Sequence, residues 1–341
     1  MKKGRRDAII GVGATGALGA DALSTVLFAR AAKSSPRAFE FGTAPRQHVG
    51  TMRSVRLGDE LTGLDRMLAL AAPALIEAAK PAWDGDAPLR VFLSIPSPTV
   101  WDPNAHGSVR TEEFLSKLAQ QTRLPIDVAS SQIVAIGHAG FAVALDRALH
   151  AQGPGCVVAG GVDTHHEDFR LAQLLENMRL KSETVHGGFV PGEGAAFLAL
   201  ERATSEQPAY ALVRHVASGL CEEPTFEEPR VAELATLLVR QAAASLRERP
   251  VGWMLNDANG ERSRSKEVDF LRLRCSDLFP ADRSQELRLA DEFGDLGAAT
   301  GAMYAAYVAL GMRHGFAPSS NAIITLASAG RERGVIALEA S

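Results

Sequence analysis

The 341-residue sequence has few cysteines, no excess of positive charge and no long hydrophobic run. Its three cysteines, Cys156, Cys221 and Cys275, are widely spaced, which predicts neither a disulfide framework nor a zinc site and suits a reducing cytoplasm. With a net charge of -4, the sequence lacks the excess of positive charge that is typical of nucleic-acid-binding proteins. Because no stretch reaches the roughly 18 consecutive apolar residues of a membrane span, we expect a cytoplasmic protein.

The sequence also lacks the acidic residue that a dinucleotide-binding fingerprint requires. Gly11, Gly13 and Gly16 spell G-x-G-x-x-G in "IIGVGATGALG", after an apolar stretch. The fingerprint needs an acid about 20 positions later, at the end of a second strand, to bind the ribose. Glu40 is the acid nearest that offset, and the prolines and glycines around it are too dense for a buried strand. We therefore interpret the glycines as a tight turn after a strand and expect no cofactor.

What the sequence does contain is an alternation of strand-like and helix-like segments. Up to residue 205 the pattern predicts strands over 7–14, 89–95, 156–163 and 194–203, and helices over 63–80, 110–122 and 140–153. It then restarts, with strands over 209–218, 252–257, 286–291, 321–328 and 333–341, and helices over 230–248, 266–278 and 297–313. This order predicts a mostly parallel sheet covered by helices.

The two parts of the chain resemble each other, which predicts an internal duplication. Each part ends with a strand of similar sequence, "GAAFLALERA" in the first and "RGVIALEAS" in the second, and this strand follows a helix of small apolar residues. A helix that is apolar on all faces belongs between layers. We therefore predict an N-terminal half over 1–205 and a C-terminal half over 206–341, with two central helices, in a five-layer αβαβα arrangement.

Three stretches resemble the beta-ketoacyl synthase branch of the thiolase superfamily. They are "IIGVGATGALG" (9–19), "CVVAGGVDT" (156–164) and "GGFVPGEGAAFLALERA" (187–203), and their order and spacing resemble that family over nearly the full chain. The resemblance implies the thiolase fold, in which a βαβαβαββ unit is duplicated. It also implies that the N-terminal glycines form a turn and bind no nucleotide.

The resemblance further implies a cysteine nucleophile and two histidines, and all three are missing. The nucleophile belongs at the start of the first central helix, where the helix dipole lowers the thiol pKa, yet the window from Ala135 to Gly137 holds no cysteine. Asn259 stands where the first histidine belongs and Asp295 where the second belongs. The chain is therefore not expected to condense acyl chains, and we expect no catalytic residues of the family's kind.

Other polar residues fall near the same place in the family's fold. His138, Asn259, Glu261 and Asp295 are expected to converge on one pocket, and Arg331 belongs to the charged turn "ASAGRERG", which replaces the family's glycine- and phenylalanine-rich gate. They would either form a self-satisfied polar cluster closed to long acyl chains or serve as an acid/base set.

The adjacent histidines in "DTHHEDFR" do not predict a metal site. Side chains of neighbouring residues point to different faces, and neither His165 nor His166 has a histidine or cysteine four residues on. We interpret this stretch as a polar loop or the start of a helix.

Three functions remain open from the sequence. The first is a noncatalytic subunit or partner of a fatty acid or polyketide-type synthase. The second is an acyltransferase or hydrolase with altered chemistry at His138, and the third is a protein-binding adaptor or chaperone, for example beside a secretion effector. Members of the family dimerise by pairing one strand with its copy across a two-fold axis, and the resemblance assigns this strand to "CVVAGGVD". It therefore implies a homodimer or a heterodimer with an active ketosynthase paralogue. An acyl carrier protein is a further expected partner.

Overall fold

Most of the chain alternates between strands and helices. A computed structural model describes residues 7–34, 36–41, 47–83, 85, 87–97, 109–182, 185–202, 208–221, 231–248 and 250–341. The strands are β1 (Ala8–Gly16), β2 (Arg37–Phe41), β3 (Gln47–Thr51), β4 (Leu89–Ser94), β5 (Gln132–Val134), β6 (Cys156–Thr164), β7 (Glu193–Glu201), β8 (Ala211–Leu220), β9 (Trp253–Asn256), β10 (Gln285–Leu287), β11 (Asn321–Ala327) and β12 (Glu332–Glu339). The helices are α1 (Ala22–Arg30), α2 (Gly63–Ala79), α3 (Val109–Thr122), α4 (Gly140–His150), α5 (Asp168–Glu176), α6 (Glu233–Ala244), α7 (Arg262–Arg274), α8 (Ala290–Phe293) and α9 (Thr300–His314).

The strand order shows the duplication directly. The first five large-sheet strands lie in the order β1-β7-β6-β4-β5, and the next five lie in the order β8-β12-β11-β9-β10. In both sets the first two pairings are antiparallel and the last two are parallel. Short pairing between β1 and β8 joins the sets into one ten-stranded sheet. The predicted duplication is confirmed, while the boundary at residue 205 lies outside the described residues and stays a prediction.

The two central helices lie between the two halves of the sheet. α4 packs against β4 and β6 of the first half and against β8 and β12 of the second. α9 packs against β1, β6 and β7 and also against β11, and its residues from Thr300 to Gly311 are all buried, as the small-residue pattern predicts. α2 covers the outer face of the first half, and α6 covers that of the second. This is the predicted five-layer arrangement.

The glycines of the N-terminal motif lie within β1, so the interpretation as a turn is wrong. Gly11 and Gly13 face α2, where a larger side chain would meet backbone rather than solvent: a Cβ on Gly11 would lie 2.2 Å from the carbonyl oxygen of Ala78. A Cβ on Gly13 would lie 2.0 Å from that of Ala74. The motif therefore brings a strand and a helix into close contact. A phosphate-binding turn would instead lie between the strand and the helix that follows it.

The G-E-G-A-A stretch places a buried carboxylate at the start of β7. Glu193 forms a bidentate ion pair with Arg66 of α2, with nitrogen-to-oxygen distances of 2.6 and 2.8 Å, and both side chains are fully buried. The hydroxyl of Thr164 and the backbone N–H of Ser54 also donate to Glu193, at 2.8 and 2.7 Å. Burying two charges is tolerated here because every carboxylate oxygen is hydrogen-bonded. The pair therefore joins α2, the outer helix of the first half, to the start of β7.

Several local expectations need correction. The expected dimer contact through "CVVAGGVD" is wrong, because β6 is hydrogen-bonded to β7 on one side and to β4 on the other. Among the strands that the structure describes, β5 lies at the outer edge of that half, and the sequence did not predict this strand. β10 is shorter than predicted, since the residues from Ala290 onward form α8. Helices α1 and α5 and the separate β2–β3 hairpin are further elements that the hydrophobic pattern did not indicate.

Among the residues that the structure describes, no helix is both long enough and apolar enough to cross a membrane.

Candidate functional site

A cleft of about 390 Å³ opens at the N-terminal ends of the two central helices. We call it the central cleft. Its walls come from the loop before α4 and the turn between β11 and β12, and from the stretch between β6 and β7. Ala135, Gly137 and His138 line it, and Gly137 has a positive φ of 77°. The sequence leaves open either a self-satisfied polar cluster closed to long acyl chains or an acid/base set, and the structure shows open space beside His138.

Four of the predicted residues meet beside this cleft, and one of them, His138, lines it. His138 Nε2 lies 2.8 Å from Asp295 Oδ1, and Asn259 donates from Nδ2 to Asp295 Oδ2 and, at 3.0 Å, to Glu261 Oε2. We call these four residues the polar cluster. Because they come from α4's N-terminal loop, the loop after β9 and the turn before α9, the fold brings both halves of the chain together here.

Asp295 is the centre of the polar cluster. Besides its contacts with His138 and Asn259, its Oδ1 accepts the backbone N–H of Gly297 at 2.7 Å. Burial alone would raise the pKa of this carboxyl, but its contacts with His138 and the charge of Arg264 hold the pKa well below its ordinary value of 3.8. Asp295 is therefore a charged carboxylate whose two oxygens are both occupied by donors from the protein.

Arginines that sequence analysis missed complete the cluster. Arg264 of α7 is buried, pairs with Asp257 at 3.0 Å, and places Nη2 3.4 Å from His138 Nδ1. An arginine only donates, so Nδ1 accepts this hydrogen bond and the Nε2–H of His138 donates to Asp295. Arg179 donates two hydrogen bonds, of 2.7 and 2.9 Å, to the carboxylate of Glu261. Burial would raise the pKa of Glu261, but Arg179 lowers it, so this carboxylate is also charged.

Arg331 is not part of the polar cluster. It is exposed, and its guanidinium donates to the backbone carbonyl of Cys221. The buried charge of this turn is Arg333, which forms a bidentate ion pair with Glu267 at 2.6 and 3.0 Å. In the same turn, Ser328 accepts from the N–H of Ala139 at 3.1 Å and donates to the carbonyl of Ile136 at 2.6 Å. The turn is therefore pinned to the start of the first central helix.

The adjacent histidines lie just before α5, in agreement with their interpretation as a helix start, and both are buried. His165 lines the central cleft and His166 packs its ring on Phe39, with 4.2 Å between the ring centroids. His165 Nδ1 lies 3.1 Å from the carbonyl of Gly192, and its Nε2 lies 3.1 Å from Arg170. By the same donor argument, His165 is a neutral Nδ1–H tautomer.

Buried His165 predicts a loss of stability in mild acid. Burial and the charge of Arg170 lower its pKa from 6.5 to about 4. Between these two values the unfolded chain takes up a proton that the folded chain refuses. The free energy of unfolding should therefore fall by on the order of 3 kcal/mol between pH 6.5 and 4, measured by urea titration at several pH values.

The variant His165→Gln removes the titrating ring and keeps a donor and an acceptor, so this slope should become clearly shallower. It does not vanish, because burial also lowers the pKa of His166. The control is His150→Gln, whose exposed ring should leave the slope unchanged. An unaltered slope in His165→Gln would contradict the assignment.

Comparison with solved structures shows that the chain has the thiolase-like fold of ketosynthases. No protein-family model matches the sequence, and no curated protein matches it. A chain of the complex AntDE:AntF, a type II polyketide synthase acyl-carrier protein with its ketosynthase bound to the hexaketide, has a TM-score of 0.76 at 14% identity, covering 99% of this chain and 100% of that one.

Two further structures agree with this result. The ishigamide ketosynthase/chain length factor has a TM-score of 0.70 at 19% identity, covering 98% of this chain and 99% of that one. The ketosynthase from module 6 of the bacillaene synthase of Bacillus subtilis 168 has a TM-score of 0.74 at 13% identity, covering 98% of this chain and 72% of that one. At these identities the likeness concerns the fold, and the predicted fold class is confirmed.

Proposed function

We propose that this chain is a ketosynthase-like subunit that acts with a fatty acid or polyketide-type synthase without forming carbon–carbon bonds itself. The observation that carries the proposal is the loop before α4. Where the resemblance implies a thiol, the chain has Gly137 with a positive φ and, two residues earlier, Ala135, and the charged side chains beside them are engaged with one another. A ketosynthase/chain length factor among the similar structures supports this direction.

The cysteines of the chain support the same proposal by their positions. Cys156 is buried in β6, Cys275 is buried at the end of α7, and Cys221 follows β8. None of these residues lines the central cleft as described, and burial raises the pKa of both Cys221 and Cys275, which makes their thiols poorer nucleophiles. His138 could not easily act as a base for another group, because its two ring nitrogens face Asp295 and Arg264.

The proposal includes association with a second chain. A homodimer, or a heterodimer with an active ketosynthase paralogue, would add a strand next to β5, which is the outermost of the described strands in its half of the sheet, since an edge strand presents backbone N–H and C=O groups for pairing. An acyl carrier protein is a further proposed partner. One of the similar structures holds such a carrier protein in complex with its ketosynthase.

The test is acylation. After incubation with acyl-CoA or acyl carrier protein thioesters, intact-mass spectrometry of the protein should show no stable acyl adduct, because the cleft supplies no thiol. Slow chemical modification of the partly exposed Cys221 is separated by running the variant Cys221→Ser in parallel. An adduct that persists in this variant and maps to residues 135–139 or to Ser328 would overturn the proposal.

A second function is favoured by one specific observation. His138 and Asp295 form a hydrogen-bonded histidine–carboxylate pair beside open space of about 390 Å³, and His138 would act as a base in acyl transfer or hydrolysis once its Nδ1 is released from the 3.4 Å contact with Arg264. Steady hydrolysis of acyl thioesters by the purified protein, abolished in His138→Ala, would favour this function over the first.

A further inference from the structure

One wall of the central cleft is formed by the segment that connects β6 to β7. It consists of α5 and the segment after it, residues 168–182 and 185–191, and we call it the flap. The flap supplies Arg170, Leu174, Arg179 and Phe189 to the cleft wall. Movement of the flap would therefore change the size of the cleft.

The flap packs around its own small hydrophobic core. Leu171, Leu174, Leu180 and Phe189 of the flap cluster with Phe39 and Val49 of the β2–β3 hairpin. This cluster is distinct from the three larger clusters that pack against the ten-stranded sheet. Units with few buried apolar contacts open at a lower free energy than the main core. The flap is thus the part of the cleft wall that can open without unfolding the rest.

Both ends of the flap are fixed to the body of the protein. At its start, Arg170 pairs with Asp163 of β6 and donates to the carbonyl of Thr164 at 2.6 Å. At its end, the backbone N–H of Asp295 donates to the carbonyl of Val190 at 2.8 Å. These contacts define two attachment points with α5 and the following turn between them.

Between these attachment points, Arg179 connects the flap to the second half of the chain. Its guanidinium makes the bidentate ion pair with Glu261, directly before α7, and lies 5.4 Å from the centroid of the Phe189 ring. The Arg179 side chain is about one third exposed, whereas that of Glu261 is mostly buried. A bidentate charged pair of this kind is strong yet can be released by rotation of the exposed partner.

Arg179 also lies between two cavities. The first is the central cleft, and the second is a cavity of about 240 Å³ at the start of α7. Arg179, Ser328 and Ala329 line both of them. Ser328 and Ala329 belong to the pinned turn between β11 and β12, so the movable part of this shared wall is the Arg179 side chain.

We propose that the Arg179–Glu261 pair is a latch that holds the flap closed, and that its release joins the central cleft to the second cavity. Arg179 then determines which ligands fit. Among the described residues, those that line the second cavity include Ser263, Arg264, Glu267 and Arg333 and no apolar side chain larger than alanine, so a ligand extending into it must carry hydrogen-bonding groups. This role does not depend on the proposed action with a synthase.

The test is hydrogen–deuterium exchange of the full-length protein, with the variant Arg179→Ala. Amides of the flap should exchange about tenfold faster or more, because loss of a charged bidentate contact raises the population of the open flap. Amides of α9 should be unchanged. The matched control is Arg240→Ala, which removes a surface arginine that is also bidentate to a carboxylate, that of Asp277, and which should leave the flap unchanged.

Further variants guard against a purely structural effect. Glu261→Gln, which keeps the size of the side chain and removes its charge, should also raise exchange in the flap, and the double variant Arg179→Ala with Glu261→Gln should exchange in the flap no faster than Arg179→Ala alone. Arg179→Lys keeps the positive charge but cannot form the bidentate contact, so the amides of the flap should exchange at an intermediate rate. Unchanged exchange in the flap, or an equal increase across flap and α9, would overturn the proposal.

Discussion

Gly13→Ala should destabilise the protein by about 4 kcal/mol or more, or prevent it from folding. The added Cβ would lie 2.0 Å from the carbonyl oxygen of Ala74 and 2.7 Å from the backbone nitrogen of Ala78. Both atoms belong to the backbone of α2, which cannot rotate away as a side chain can. The helix would have to separate from β1, and that would open the packed interface between the outer helix and the first half of the sheet.

Urea unfolding measures this effect, and Gly187→Ala is the matched control. A Cβ on Gly187 has no atom within 4 Å, and its φ is not in the left-handed region, so this variant should stay within about 0.5 kcal/mol of the wild type. If Gly13→Ala were as stable as Gly187→Ala, the glycines of β1 would not be there for close packing.

The same glycines show what sequence reasoning could and could not predict. Their spacing and the apolar residues around them correctly predicted β1. The absence of an acid at the end of a second buried strand weighed against a dinucleotide fingerprint, although Glu40 lies in β2 of the separate hairpin. No local signal distinguishes a glycine in a turn from one that packs against a helix from a distant part of the chain. The duplication was predictable because "GAAFLALERA" and "RGVIALEAS" have similar sequences and form the equivalent strands β7 and β12 of the two halves. The short β5 was missed because three residues carry too little periodicity.

The polar cluster was partly predictable for a similar reason. Asn259 and Asp295 could be placed because they lie in stretches whose positions the family resemblance fixed, and the structure brings them together. Arg179 and Arg264 were missed because the runs "ENMRLK" and "ERSRSKE" look like solvated surface. Their burial depends on carboxylates from distant parts of the chain, such as Asp257 beneath Arg264. A sequence pattern gives the charge of such a residue but not its partner.

Asp295→Asn should lower the free energy of unfolding by about 3 kcal/mol or more at neutral pH. Each oxygen of this buried carboxylate accepts a hydrogen bond: Oδ1 from His138 and Gly297, and Oδ2 from Asn259. An amide has the same shape but one oxygen and one NH₂ group. In either orientation the NH₂ group faces a donor, so at least one buried donor loses its acceptor.

The control for this variant is Asp146→Asn on α4. Asp146 also lies beside a histidine, with 3.4 Å between its Oδ1 and His150 Nδ1, but both side chains are about half exposed or more. Because exposed pairs contribute little, this variant should stay within about 0.5 kcal/mol of the wild type. The comparison separates a buried histidine–carboxylate pair from an exposed one.

The effect of Asp295→Asn should also depend on pH in a defined direction. The folded chain keeps the pKa of Asp295 well below its ordinary value of 3.8, so the carboxylate contributes its stability fully above that value and loses it as the pH falls towards the folded pKa. The difference between wild type and variant should therefore be constant from pH 5 to 8 and shrink below about pH 4. Urea titrations at each pH measure it in the His165→Gln background, because the charge of Asp295 also raises the pKa of His165 and this histidine would otherwise contribute unequally to the two proteins. A difference below 1 kcal/mol at pH 7 would show that the polar cluster does not stabilise the fold, and a stable variant that has lost thioester hydrolysis would show that Asp295 serves chemistry instead.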